Sequence, residues 1–309
     1  MHAIMELHSM QTGRNSQTGD DVRLQSFIHD GKPAWGVRHA DYVTVLTAHW
    51  PDVCSALAVG PDALARACRL GGPQLPATDL HWLAPVVAPR KILCVGLNDA
   101  RHVRETGRPL PAYPSIFTRY ADSLVGHGCP LWHPRVSEQF DFEAELAVVI
   151  GRSAWRIAER DAFDYVAGYA CMAENSVRDW QKHSAQVTPG KNFFHSGALG
   201  PWLVTADEIA DPTRLRVTSR VNGEPMQDGC IADLIFSIPA LMAYVSAFTP
   251  LSPGDVIATG TPAGVGAART PPRFLRAGDV LEVEIPGVGT LVNPVIDEPD
   301  THNETCQET

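Results

Sequence analysis

The stretch Asp141-Phe142-Glu143-Ala144-Glu145-Leu146-Ala147-Val148-Val149-Ile150-Gly151 changes character half-way along. Its second half is an apolar, partly β-branched run closed by glycine, which reads as a buried strand. Its first half carries carboxylates instead. Side chains alternate faces along a strand, so Glu143 and Glu145 point the same way, and Asp141 with them. Parallel carboxylates leading into a core strand repel each other and resist desolvation. A divalent cation removes both penalties, and hard oxygen ligands suit Mg²⁺, Mn²⁺ or Ca²⁺ better than zinc. The competing reading is an edge strand with one solvated face, where acids alternate with apolar residues for solubility. The pattern alone slightly favours that edge strand. The segments around it favour the ion.

Downstream, Val166 to Met172 reads as the next strand, and Glu174 follows in Ala173-Glu174-Asn175-Ser176, a further carboxylate just past a strand end. Arg178 and Asp179 are expected to form a structural ion pair. Pro189-Gly190-Lys191-Asn192-Phe193-Phe194 sets Lys191 in a turn between apolar groups, where, beside a metal, it can hold a carboxylate. Upstream, Lys91 to Gly96 is a short buried strand. His102 and Glu105 follow it at i, i+3, on one face of a helical turn. A carboxylate beside an imidazole raises its basicity and fixes its tautomer, which is how a general base is built. A solvated surface ion pair is the bland alternative. Thr106-Gly107-Arg108-Pro109 closes this polar segment as it would a mobile lid. Further on, Ala258-Thr259-Gly260-Thr261-Pro262-Ala263-Gly264-Val265-Gly266 offers backbone N–H groups and hydroxyls to an anion. It has neither the lysine nor the spacing of a nucleotide phosphate loop.

The chain has 309 residues and a formal net charge of −10. That length buries one large core or two smaller ones. The acidic balance argues against a nucleic-acid partner. No apolar run reaches the length of a membrane span, and the polar N-terminus lacks the apolar core of a secretion signal. Seven widely spaced cysteines without a CxxC fit reduced thiols in a cytoplasmic protein better than a disulfide framework or a zinc site. Residues 1–20 and 299–309 read as disordered tails. Short β-like runs from Arg23 to Leu46, a helix over Asp62 to Arg69 and a proline-rich linker from Leu75 to Arg90 compose a small N-terminal α+β domain over 21–85. Residues 90–298 form the larger domain. Within it, Ile231 to Phe248 has helical periodicity, and Gly278 to Leu291 reads as a closing hairpin.

Together, several motifs resemble the fumarylacetoacetate hydrolase superfamily. They are Gly96-Leu97-Asn98 with His102 and Glu105, Asp141-Phe142-Glu143-Ala144-Glu145-Leu146, Ser176-Val177-Arg178-Asp179, Gly190-Lys191, Leu199-Gly200-Pro201-Trp202 and the Thr259 to Gly266 loop. They run in order from about Lys91 to Asn293, and the N-terminal part is similar to the small variable domain of bacterial two-domain members. The resemblance implies a mixed α/β, mainly β fold with a twisted β-roll catalytic domain, usually in a homodimer. It implies Mg²⁺ or Mn²⁺, with Ca²⁺ able to replace them in crystals. By motif position the metal ligands would be Glu143, Glu145 and Glu174. The catalytic groups would be the His102–Glu105 dyad, on a lid that closes over substrate, and Lys191. Arg119, Gln181, Gly260 and Thr261 would line the substrate site. Two positions depart from the pattern. The third ligand is usually the aspartate of Asn-Asp-x-Ser; here Glu174 reaches one methylene further. Phe-x-Lys is here Phe117-Thr118-Arg119, and arginine keeps the charge, with a bidentate grip on carboxylates, without being equivalent to lysine.

The implied chemistry is C–C bond hydrolysis of an acylpyruvate or 1,3-diketo acid. The cation stabilises an enolate leaving group, and His102, oriented by Glu105, activates a water. The same enolate stabilisation serves a second reading: decarboxylation of oxaloacetate, or decarboxylation, isomerisation or hydration of unsaturated 2-oxo-diacids from aromatic catabolism. In both the partner is a small anionic 2-oxo acid or diketone. A non-catalytic metal-binding or scaffold protein is the third reading, and the retained acids, dyad and lysine argue against it.

Overall fold

The computed structural model describes residues 22–60, 65, 66, 69 and 71–300. The tail expected over 1–20, all but the first two residues of that expected over 299–309, and most of the helix expected over Asp62 to Arg69 lie outside these residues. Among the described residues the fold is of the expected mainly β class with a few helices. No helix there is long and apolar enough to cross a membrane.

The strand Ala144–Ile150 is buried at every residue. It sits inside a 12-stranded sheet, antiparallel to Val166–Ala173 on one side and to Val256–Ala258 on the other. The edge-strand reading is therefore excluded. From one end, the sheet runs Gln74–Pro76, Tyr42–Val45, Lys32–Arg38, Arg23–His29, Gly197–Thr205, Val166–Ala173, Ala144–Ile150, Val256–Ala258, Ile92–Gly96 and Ser115–Arg119. A five-stranded sheet, which includes Arg216–Val221, Val280–Ile285 and Gly289–Asp297, packs against it. The two-residue period of a strand explains how one strand serves two cores. Leu146, Val148 and Ile150 join Val217, Leu281, Val283 and Leu291 in the core between the sheets. Ala147 and Val149 face the other way, into a core with Leu24, Trp35, Leu199 and Leu203.

The N-terminal hairpin turns at Asp30 and Gly31, both with positive φ, as its right-handed twist favours. Its strand Arg23–His29 then pairs with Gly197–Thr205. The sheet thus passes through the boundary expected near residues 85–90 without a break. Part of the proline-rich stretch is strand: His81–Trp82 pairs with Arg23–His29, and Gln74–Pro76 forms an outer edge, where a missing N–H is tolerated. The helix expected from Ile231 begins at Ile238, where Ser237 caps it by accepting the Ala240 N–H. Ile231–Asp233 is only a short 3-10 turn. Cys54, Cys94, Cys129, Cys171 and Cys230 are free thiols.

Candidate active site

The site lies where Ala144–Ile150 begins. Phe140–Asp141 pairs with Ser176–Val177. Between these strands the Glu174 N–H donates to the Glu143 carbonyl (2.8 Å), and the Glu143 N–H donates to Asn175 Oδ1 (3.3 Å). These bonds place Glu143 beside Glu174, and the pairing of Ala144 with Ala173 brings Glu145 to the same place. One carboxylate oxygen from each of Glu143, Glu145 and Glu174 lies within 4.8 Å of the others, and all three residues are buried.

Asp141 stays on the face of Glu143, since Arg178 touches both and Phe140, Phe142 and Ala144 share the opposite core, but it lends no oxygen to the cluster. Its carboxylate accepts the N–H groups of Gly266 (2.7 Å) and Ala267 (2.9 Å) and the Arg178 Nε (2.7 Å). Arg178 reaches on to Glu143 (2.6 Å). The expected Arg178–Asp179 pair is not formed. Neighbours at i, i+1 diverge on the helical turn Arg178–Gln181, and Asp179 accepts from the Ser137 hydroxyl (2.6 Å) instead.

Lys191, the last residue of the short helix Thr188–Lys191, sends its ammonium between Glu143 Oε2 (2.6 Å) and the Glu174 carboxylate. Arg119 holds the other Glu174 oxygen (2.8 Å). Burial opposes ionisation of Glu143, yet Arg178 and Lys191 together outweigh it and hold that carboxyl below the usual range. Burial raises Glu174, against the pull of Lys191 and Arg119. Glu145 has no ion-pair partner among the described residues and accepts only the Gly260 N–H (2.8 Å). Burial, then repulsion from Glu174 and Glu143, push its carboxyl well above the usual range. A buried carboxylate short of a cation, beside two others that offer oxygens to the same space, fits a hard divalent ion. Glu143, Glu145 and Glu174 are the residues that would hold it.

The dyad stands on the helix Ala100–Glu105, capped by Asp99, which accepts the N–H groups of Arg101 and His102 (2.8 Å each). His102 Nδ1 meets Glu105 Oε1 at 2.6 Å, and Glu105 Oε2 accepts the Gly264 N–H (2.9 Å). The pair is therefore already closed, and the 258–266 loop fastens it. Asn98 binds the helix to that loop by donating to the Thr259 carbonyl (2.7 Å). Gly260 is required at this contact: its φ is +111°, and a Cβ there would lie 2.7 Å from Asn98 Cβ.

All four residues expected to line the substrate site have partners within the protein. The Gly260 N–H is taken by Glu145. The Thr261 hydroxyl donates to the Ala144 carbonyl (3.0 Å) and accepts from Gln227 Nε2 (2.7 Å). Arg119 is buried against Glu174. Gln181 is half-buried and accepts from Arg178 (3.1 Å). Gln227 escaped the sequence reading: it also accepts the Ala144 N–H (2.9 Å), locking the loop to the acidic strand. A lone glutamine in a strand gives no local signal of that role.

Residues 91–296 match the model of the family described as Fumarylacetoacetate (FAA) hydrolase C-terminal. The chain belongs to the fumarylacetoacetate hydrolase family. Among curated members it is 45% identical over 224 residues to the mitochondrial oxaloacetate tautomerase fahd2 of Xenopus laevis, covering 72% of this chain and 70% of the relative. It is 42% identical over 231 residues to the oxaloacetate tautomerase YisK of Bacillus subtilis, covering 74% and 77%. Among solved structures of the family, the hydrolase of Exiguobacterium antarcticum superposes with a TM-score of 0.79 at 32% identity, over 90% of this chain and 100% of that one. Maleylpyruvate hydrolase from Sphingobium sp. SYK-6, in complex with manganese and pyruvate, gives 0.74 at 28% identity, over 90% and 100%. The family fold expected from the motifs is thus the fold observed.

Proposed function

We propose that this protein interconverts the enol and keto forms of a short 2-oxo diacid of the oxaloacetate type, using Mg²⁺ or Mn²⁺. The supporting observation is the likeness to two oxaloacetate tautomerases at 45% and 42% identity, in a chain whose matched family region, 91–296, contains every site residue. This reverses the priority that the motifs suggest, in which C–C bond hydrolysis comes first. Hydrolysis stays the second reading, on the likeness to maleylpyruvate hydrolase.

When bound, the cation supplies Lewis acidity toward the 2-oxo group and its neighbouring carboxylate. Glu105 accepts from the Nδ1 side of His102, so the neutral ring keeps its lone pair on Nε2. That nitrogen takes the proton from C3 of the keto form, and Glu105 stabilises the imidazolium. The imidazolium returns a proton to the C2 oxygen, so C–H is exchanged for O–H and no water is consumed. Ketonisation runs the same steps backwards. Lys191 and Gln181 are the proposed contacts to the substrate carboxylate, and a homodimer is the proposed assembly.

The test follows loss of the enol absorbance of oxaloacetate with Mn²⁺-loaded and EDTA-treated protein, beside a panel of acylpyruvates. Metal-dependent acceleration that EDTA returns to background is expected. Cleavage of an acylpyruvate without any acceleration of oxaloacetate tautomerisation would replace this reading with the hydrolytic one.

A further inference from the structure

We infer that Arg119 is a positioning residue for Glu174, holding one carboxylate oxygen away from the cluster so that the other alone faces a cation. The inference rests on the metal centre assigned to the three glutamates and not on which reaction the site performs.

The Arg119 side chain is wholly buried, and its guanidinium makes four hydrogen bonds inside the protein. Nε donates to Ser123 Oγ (2.9 Å), and Nη1 donates to Glu174 Oε1 (2.8 Å) and the Asn175 carbonyl (3.0 Å). Nη2 donates to Ser196 Oγ (2.8 Å). An arginine that grips substrate would keep its fork free toward the cavity; this fork is spent on the protein. On the far side of Glu174, Lys191 bridges Oε2 to Glu143. The two cations thus take opposite oxygens, and only Oε2 is on the side of the other acids.

The seat is shaped for this group. A Cβ on Gly197 would lie 2.5 Å from Nη2 and 2.9 Å from the Ala173 carbonyl, so only glycine leaves room for the guanidinium. The planar fork reaches acceptors on four residues at once, whereas an ammonium is a single point of charge with three donors. The same frame reaches Glu143. Asn175, whose carbonyl Arg119 holds, accepts the Glu143 N–H through Oδ1 and donates through Nδ2 to the Ser196 carbonyl (3.0 Å). A longer acid at 174 and an arginine at 119 therefore form one matched pair.

The experiment titrates Mn²⁺ by electron paramagnetic resonance into wild type, Arg119→Lys, Glu174→Asp and the double variant, with circular dichroism to confirm folding. Residues that orient metal ligands typically contribute 10–100-fold to affinity, so Arg119→Lys should weaken Mn²⁺ binding by about that factor. Glu174→Asp withdraws the carboxylate from Arg119, so the double variant should bind no worse than the poorer single one. At saturating Mn²⁺, the KM of Arg119→Lys for oxaloacetate should stay at the wild-type value while kcat falls. Wild-type affinity in Arg119→Lys, additive losses in the double variant, or a raised KM with unchanged affinity would each overturn the role. Should Arg119→Lys not fold, Ser196→Ala removes a single acceptor and carries the same test. Weaker Mn²⁺ binding with unchanged KM supports the role, and unchanged binding overturns it. The Mn²⁺ titration reads out whether or not oxaloacetate is the substrate.

Discussion

Replacing His102 with alanine should lower kcat for enol–keto conversion of oxaloacetate by ~10²–10⁴-fold, the usual contribution of a positioned acid–base group. The reaction moves a proton from carbon to oxygen, and His102 is the ring that Glu105 and the Asp99 cap hold ready for that transfer. Mn²⁺ affinity should survive, because the three glutamates stand on other segments. Decarboxylation of oxaloacetate by the same preparation should fall less, since enolate formation by loss of carbon dioxide needs no base at C3. Equal losses in both reactions would mean that His102 does not act as the proton carrier. Full tautomerase activity would remove the dyad from the mechanism altogether.

The double substitution Glu143→Gln, Glu145→Gln should weaken Mn²⁺ binding by more than about 100-fold, beyond the range typical of residues that merely support ligands. Shape and volume are nearly kept while two ligand charges are lost. Four acids, Asp141, Glu143, Glu145 and Glu174, now face three cations, Arg119, Arg178 and Lys191. The double variant would leave two acids against three cations and so repel a divalent ion. Isothermal titration with Mn²⁺ reads the change directly. Wild-type affinity in this variant would place the metal elsewhere or nowhere.

Much of the site was legible because it rests on short-range spacing. Glu143 and Glu145 stand two apart at the head of an apolar strand, and His102 and Glu105 stand one helical turn apart. What stayed hidden depends on distant partners. The role of Arg119 is decided by Glu174, Asn175 and Ser196, far along the chain, and nothing near Phe117-Thr118-Arg119 tells which carboxylate the guanidinium will meet. Asp141 shares the face of Glu143 but not the cluster, because Gly266, Ala267 and Arg178, all distant in the chain, take up its carboxylate. The N–H already engaged at Gly260 and the hydroxyl already engaged at Thr261 are likewise invisible locally: their partners, Glu145 and Gln227, come from other strands.

The continuity of the long sheet bears on how this chain can be divided. Arg23–His29 pairs with the uncharged strand Gly197–Thr205 at Leu203 and Val204, and Leu24, Trp35, Val37 and Leu46 cover an apolar face that includes Ala147, Val149, Ala170, Met172 and Leu199. A chain trimmed to the family's own region would bare that apolar face, and the uncharged end of the strand beside it, for other chains to meet. The N-terminal strands therefore serve as a guard against self-association, and trimming them away trades a smaller protein for a sticky one.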